Sequence, residues 1–276
     1  MRKKVFVCAF LLLTILLTFE ELYPRKFQKI NLSTGAGISK MLRYEDAQVY
    51  LFGETHRCTE YQRFRNVLFK YLVKEKGVRV LVEEAGYATT FLENETVQGR
   101  LSFSDWLDRC TSSKEDYELY QWIADWNSGR EDADKISIIG IDITDNIGNM
   151  QMLCQYLLKT CDFTGVDVQT QRLLTAIRKQ NPFSSLQLQT FQDEFLPQLI
   201  ELYQTKPEQL ENVLGTQAMH LERALLGWQE ALEQQRLRGK VEQLGDSDDV
   251  YRENCLYENF MREYQERPDT KYYGEF

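Results

Sequence analysis

The chain has 276 residues, of which 43% are hydrophobic and 27% charged, with 5 Pro and 15 Gly. That balance excludes a disulfide-stapled mini-protein, a collagen-like repeat and a mostly disordered chain, and leaves one large globular domain or at most two. Its 33 basic and 42 acidic residues leave a net charge of -9 with no local basic patch, which argues against a nucleic-acid partner.

At the amino end, Arg2, Lys3 and Lys4 precede an apolar run from Val5 to Phe19 broken only by Thr14 and Thr18. Residues 1–22 therefore read as a signal peptide or an uncleaved signal anchor. The run is short of the roughly 20 residues of a spanning helix. Glu20, Glu21 and Leu22 offer no small-x-small cleavage site. Either reading places the remainder outside the cytoplasm, secreted or held to a membrane by the N-terminal segment if that is uncleaved. Beyond Cys8 the chain carries five cysteines, Cys58, Cys110, Cys154, Cys161 and Cys255. An odd number leaves at least one thiol unpaired, with one or two disulfides expected to be possible. No CxxC spacing occurs, which argues against a cysteine zinc site.

Residues 44–276 read as one α/β domain. Three short apolar runs, Ala47 to Gly53, Gly77 to Glu84 and Lys135 to Asp142, predict buried strands. Between the first two, Thr59 to Lys76 predicts a helix with a Thr59-x-x-Gln62 capping box and Gly77 as its C-terminal cap. A strand-helix-strand order predicts parallel pairing. Tyr87 to Gln98 and Lys114 to Asn127 are further helices. From about residue 148 to 266 the pattern is almost wholly helical: Met150 to Lys159, Val168 to Lys179, Ser185 to Tyr203, Pro207 to Gln235 and Ser247 to Glu266. The expected fold class is α/β, a mostly parallel sheet with flanking helices plus a large helical region.

The three strand ends carry the chemistry. Glu54-Thr55-His56 follows the first, Glu83-Glu84 closes the second and Asp142 closes the third. In a parallel sheet these ends share one rim, the edge at which ligands bind. Only two histidines exist, His56 and His220, so a site of three histidines is excluded. An imidazole beside a carboxylate has its tautomer fixed and its basicity raised, as a general base for water activation requires. Each residue also has a plainer reading. His56 can be a hydrogen-bonded surface group, Glu83 and Glu84 can cap the next helix, and Asp142 can be a turn residue. His220, inside a long helix without a well-spaced carboxylate, reads as a packed or solvated residue. Cys58 lacks an oxyanion-loop pattern around it, and GxSxG, Walker and HExxH motifs are absent.

The stretch LFGETHRCTEYQRFRNVLFKYLVKEKGVRVLVEEAGY resembles the first motif of the erythromycin-esterase-like family, with Gly53, Glu54, His56, Glu60, Arg65, Gly77 and Glu84 on its positions. WIADWNSGR followed by ISIIGIDI is similar to its helix-then-strand block, ending at Asp142. YRENCLYENF resembles its late helical motif and places Arg252, Glu253, Glu258 and Asn259. The likeness runs from about Tyr44 to Phe260. It implies a hydrolase that needs no metal or other cofactor and takes a small-molecule ester or lactone. His56 would be the base, Glu54 and Glu84 its catalytic partners, and Arg65, Glu60, Asp142, Arg252 and Glu258 binding residues, with the two arginines able to hold an anion or oxyanion. The alternative is a catalytically incomplete remnant or binding module of the same fold.

Two departures follow from the resemblance. One residue, not two, separates Glu54 from His56, a spacing nearer to haem-uptake and Tiki-like relatives. The family also continues past its late helix into a histidine-bearing strand, whereas this chain ends in KYYGEF. The expectation is therefore a sheet lacking its last strands, with an exposed edge.

Overall fold

The computed structural model describes residues 29–42, 46–53, 58–104, 113–143, 146–238 and 247–275. Residues 1–22, read above as a targeting segment, lie outside them, as do Glu54, Thr55 and His56. Residues up to Glu45 form a unit of their own. Within it the Asn31 side chain accepts hydrogen bonds from the Ser33 and Thr34 amides at 2.9 and 3.0 Å, closing a turn before the short helix Ile38–Met41. Among the described residues, no helix is long and apolar enough to cross a membrane.

The second unit, Asp46–Phe276, holds a four-stranded, wholly parallel sheet of β1 (Val49–Phe52), β2 (Val78–Gly86), β3 (Ser137–Asp142) and β4 (Lys271–Glu275) in the order β1-β4-β2-β3. The α/β class and the three apolar strands are as the sequence predicts. Two expectations are corrected. A strand does follow the late helix, and it lies inside the sheet, paired with β1 on one side and β2 on the other. As a result β1 and β2, although parallel, do not touch as neighbours.

Strand geometry explains how a Tyr-rich pentapeptide fills an interior position. Successive side chains point to opposite faces. Tyr273 meets Phe69 at 5.6 Å between ring centroids, while Tyr272 meets Phe260 and Tyr264 at 5.6 and 5.9 Å. Both tyrosines are fully buried. The Tyr272 hydroxyl donates to the Arg267 carbonyl at 2.9 Å, so its polar end is satisfied.

Phe69 belongs to α1 (Thr59–Tyr71), which continues as a π-helical turn to Lys76 and stops at Gly77, whose φ of 76° suits a glycine C-cap. The N-cap is Cys58, without a side-chain bond, so the expected capping box does not form and Thr59 already lies in the first turn. Phe260 and Tyr264 belong to α10 (Ser247–Glu266) on the opposite face. Between these elements run α2 (Tyr87–Val97), α3 (Lys114–Asn127), α4 (Ile147–Leu158), α5 (Val168–Lys179), α6 (Ser185–Thr190), α7 (Leu196–Thr205), α8 (Pro207–Leu214) and α9 (Ala218–Arg238). The single helix predicted from Ser185 to Tyr203 is two, joined by a π-helical turn at Phe191–Phe195. That predicted from Pro207 to Gln235 is interrupted at Gly215–Gln217. α2 lies so close to β3 that a Cβ on Gly140 would stand 2.5 Å from Thr90 Oγ1 and closer still to the Ala85 carbonyl.

Candidate functional site at the carboxyl rim of the sheet

Adjacent glutamates at the end of β2 serve different faces of the sheet. Glu84 turns towards α10, where Arg252 Nη2 donates to its Oε1 at 2.5 Å. The same guanidinium forks onto Asp142 at the end of β3, with Nε to Oδ1 at 2.9 Å and Nη2 to Oδ2 at 2.7 Å. Asp142 is nearly buried and its Oδ1 also accepts from the Ile143 amide at 2.7 Å. Two turns further along α10, Asn259 donates to the Ile141 carbonyl at 3.0 Å, tying the helix to β3 beside the fork. Hydrogen bonds from Asp142, and then from Glu84, outweigh partial burial and hold the Arg252 guanidinium above its ordinary basicity. Two carboxylates against one guanidinium leave this cluster one net negative charge.

Glu83 turns the other way. The Tyr120 hydroxyl on α3 lies 3.0 and 3.1 Å from its two carboxylate oxygens. Burial pushes Glu83 above the usual carboxylate range, against the pull of Arg65. Glu93 of α2 is pushed further up, by burial and then by the charge of Glu83. Both carboxyls are thus harder to ionise than usual, Glu93 more so than Glu83. Glu93 Oε2 is sealed from solvent, with no hydrogen-bond partner among the described residues.

Arg65 completes this side. It donates to Asp116 at 2.6 Å and to Asn66 at 3.1 Å, and lies 3.5 Å from Glu275 at the end of β4. Burial works against its charge, but Glu275 and Asp116 overcome that and raise its basicity. Arg65 and Arg252 thus both stand at the rim, on opposite faces, and both are already committed to carboxylates.

The remaining sequence-predicted residues fall as follows. Glu54 and His56 lie outside the described residues; the described part of β1 reaches the same rim, with Phe52 in register with Glu275. Glu60 is exposed in the first turn of α1, where an acid suits the helix dipole, 3.9 Å from the Cys58 thiol. Glu258 is exposed on α10, and its charge is felt at Glu230 and Cys255. Cys58, Cys154, Cys161 and Cys255 are free thiols. Burial pushes Cys154 up to about 12, which keeps it an unreactive thiol. Among the described residues no three His, Cys, Asp or Glu side chains group as a metal site.

His220 sits on α9. Its Nδ1 is 2.7 Å from the Tyr87 hydroxyl, its ring lies 4.7 Å from that of Phe91, and burial lowers its basicity. Packing, expected for this residue, describes it well, with a tyrosine partner that the sequence does not reveal.

No protein-family model matches the chain, and no curated protein matches it significantly. Three solved structures share its fold. The erythromycin esterase EreC, as a histidine-to-asparagine variant in its open conformation, is 16% identical with a TM-score of 0.53. A protein from Bacillus cereus is 19% identical with a TM-score of 0.54, and a succinoglycan biosynthesis protein is 18% identical with a TM-score of 0.53. They cover 90%, 90% and 87% of this chain, which spans 64%, 61% and 58% of theirs. The chain has the erythromycin-esterase-like fold.

Proposed function

We propose that this protein is a hydrolase in which His56 activates water for attack on the acyl carbon of an ester or lactone. The observation that carries this reading is the convergence of Glu84, Asp142 and Arg252 at the rim where β1 hands over to the Glu54–His56 segment. Their net negative charge favours the imidazolium that forms when His56 takes the proton of water. The new C–O bond gives a tetrahedral intermediate. Its collapse breaks the ester bond, and the histidinium returns its proton to the leaving alkoxide, yielding acid and alcohol. Arg252, bound to both carboxylates, holds them in place and is a positioning residue in this scheme, not an oxyanion donor. Glu54 is assigned to orient His56.

The test is hydrolysis of simple esters and macrolide lactones by the full chain, wild type against His56→Ala. A loss of at least about a hundredfold in kcat/KM supports the role of the base; equal rates sink it. One observation favours a second reading, a binding module of the same fold. Arg65 and Arg252 are both spent on carboxylates. No turnover in either protein, on any ester, would select it.

We assign the domain to the extracytoplasmic side, secreted or anchored by residues 1–22. The charge order of Arg2, Lys3 and Lys4 before the apolar run supports this. Proteolysis of intact cells that spares the protein would reverse it.

A further inference from the structure

Beside Glu84, on the α10 face of the rim, lies an open cavity of about 260 Å³. Its walls are apolar: Leu51 from β1, Ile141 from β3, and Leu256, Tyr257 and Phe260 from α10. Ile141 and Leu256 are nearly buried and form its floor, continuous with the core of Val80, Val82 and Tyr272. Leu51 and Tyr257, by contrast, are 67% and 65% exposed, a large cost for two side chains that line one groove. Its charged lining residues are Glu84 and Glu253, so the mouth is acidic.

We propose that this groove is the acyl subsite and that the substrate is a small, uncharged ester with a short unbranched apolar chain; this rests on the hydrolase reading above. Size and charge carry it. Pockets for drug-sized ligands occupy about 300–1,000 Å³, so this one takes a short chain and leaves a macrolide ring outside. Apolar walls reward each methylene, and the scissile carbonyl at the end of the chain is left beside Glu84. The acidic mouth accepts a neutral ester and repels the carboxylate that hydrolysis creates, so the same two glutamates that line the groove expel the product.

The full chain is assayed with p-nitrophenyl esters from acetate to decanoate. The expected result is a kcat/KM that rises about fourfold per added methylene and then levels as the groove fills, with macrolide lactones below the best simple ester. Leu51→Gln and Tyr257→Gln, both at exposed positions, flatten that rise. A rate independent of chain length, or a macrolide preferred over every simple ester, overturns the proposal. Binding is read separately from turnover with the neutral fluorophore N-phenyl-1-naphthylamine. Hexanol displaces it at pH about 8, hexanoate does not, and both variants weaken its binding. Displacement without any ester hydrolysis keeps the apolar subsite and removes the hydrolase reading. Hydrolysis with no displacement, and with unchanged chain-length dependence in both variants, removes the subsite and keeps the hydrolase.

Discussion

Arg252 grips Asp142 with two prongs, Nε to Oδ1 at 2.9 Å and Nη2 to Oδ2 at 2.7 Å, across 110 residues of sequence. A planar guanidinium can hold one carboxylate in this way and still offer a proton to Glu84. A lysine ammonium, a single point charge, cannot match that geometry.

Replacing Arg252 by Lys should therefore lower unfolding free energy by about 1–2 kcal/mol, since Asp142 is left nearly buried and imperfectly paired. The kcat/KM for a simple ester should fall at least about tenfold, with the loss mainly in kcat. Urea unfolding and steady-state kinetics check the two parts. Unchanged kcat with lowered stability would make the fork purely structural.

The Glu83–Glu93 pair predicts a stability that depends on pH. Glu93 titrates well above its ordinary 4.5 in the folded chain. The folded state thus keeps a proton that the unfolded chain releases. Its contribution is complete below about pH 4.5 and drains away as pH rises through the folded value. Asp116, Tyr120 and Arg65 face the same pair, Asp116 pushing the carboxyls up and Tyr120 and Arg65 pulling against that. Glu93→Gln cannot titrate but still offers an N–H to Glu83. Between about pH 5 and pH 8 its Tm should gain steadily on the wild type; parallel curves would show that the pair shares no proton.

Gly140→Ala should cost about 1–3 kcal/mol, because its methyl would press on the Ala85 carbonyl and Thr90. Adding Thr90→Ala relieves the side-chain clash and leaves the backbone one, so the double variant should recover only in part. Urea midpoints at constant slope measure this.

Two tyrosines give a matched comparison. Tyr272→Ala empties a fully buried ring position and should cost about 3–5 kcal/mol. Tyr257→Ala, 65% exposed on α10, should stay within about 0.5 kcal/mol. Thermal unfolding of both variants is the check.

The rim was readable wherever a local pattern marked it. Runs of Val and Ile ended at Glu84 and Asp142, and Arg252 stood in a motif-like helix. Glu93 was not readable. In FLENETV the acids and apolar residues are interleaved, and which turn faces β2 depends on how α2 packs. The partnership of His220 with Tyr87 joins residues 133 apart and leaves no trace in either neighbourhood. β4 was hidden for a compositional reason. Interior parallel strands usually read as aliphatic runs, whereas KYYGE buries its two faces with tyrosines and keeps a Lys and a Glu at its ends.

The position of β4 also dictates a timetable. Its neighbours in β1 are more than two hundred residues upstream, and the Gln48 side chain already donates to the Pro268 carbonyl across 220 residues. During synthesis β1, α1 and β2 leave the ribosome long before the strand that must come between them, with their inner edges unpaired and open to strangers. The helical half is made in that interval. Sheet closure is thus a late event, and the nascent chain depends on whatever shields two waiting edges until Lys271–Glu275 arrives.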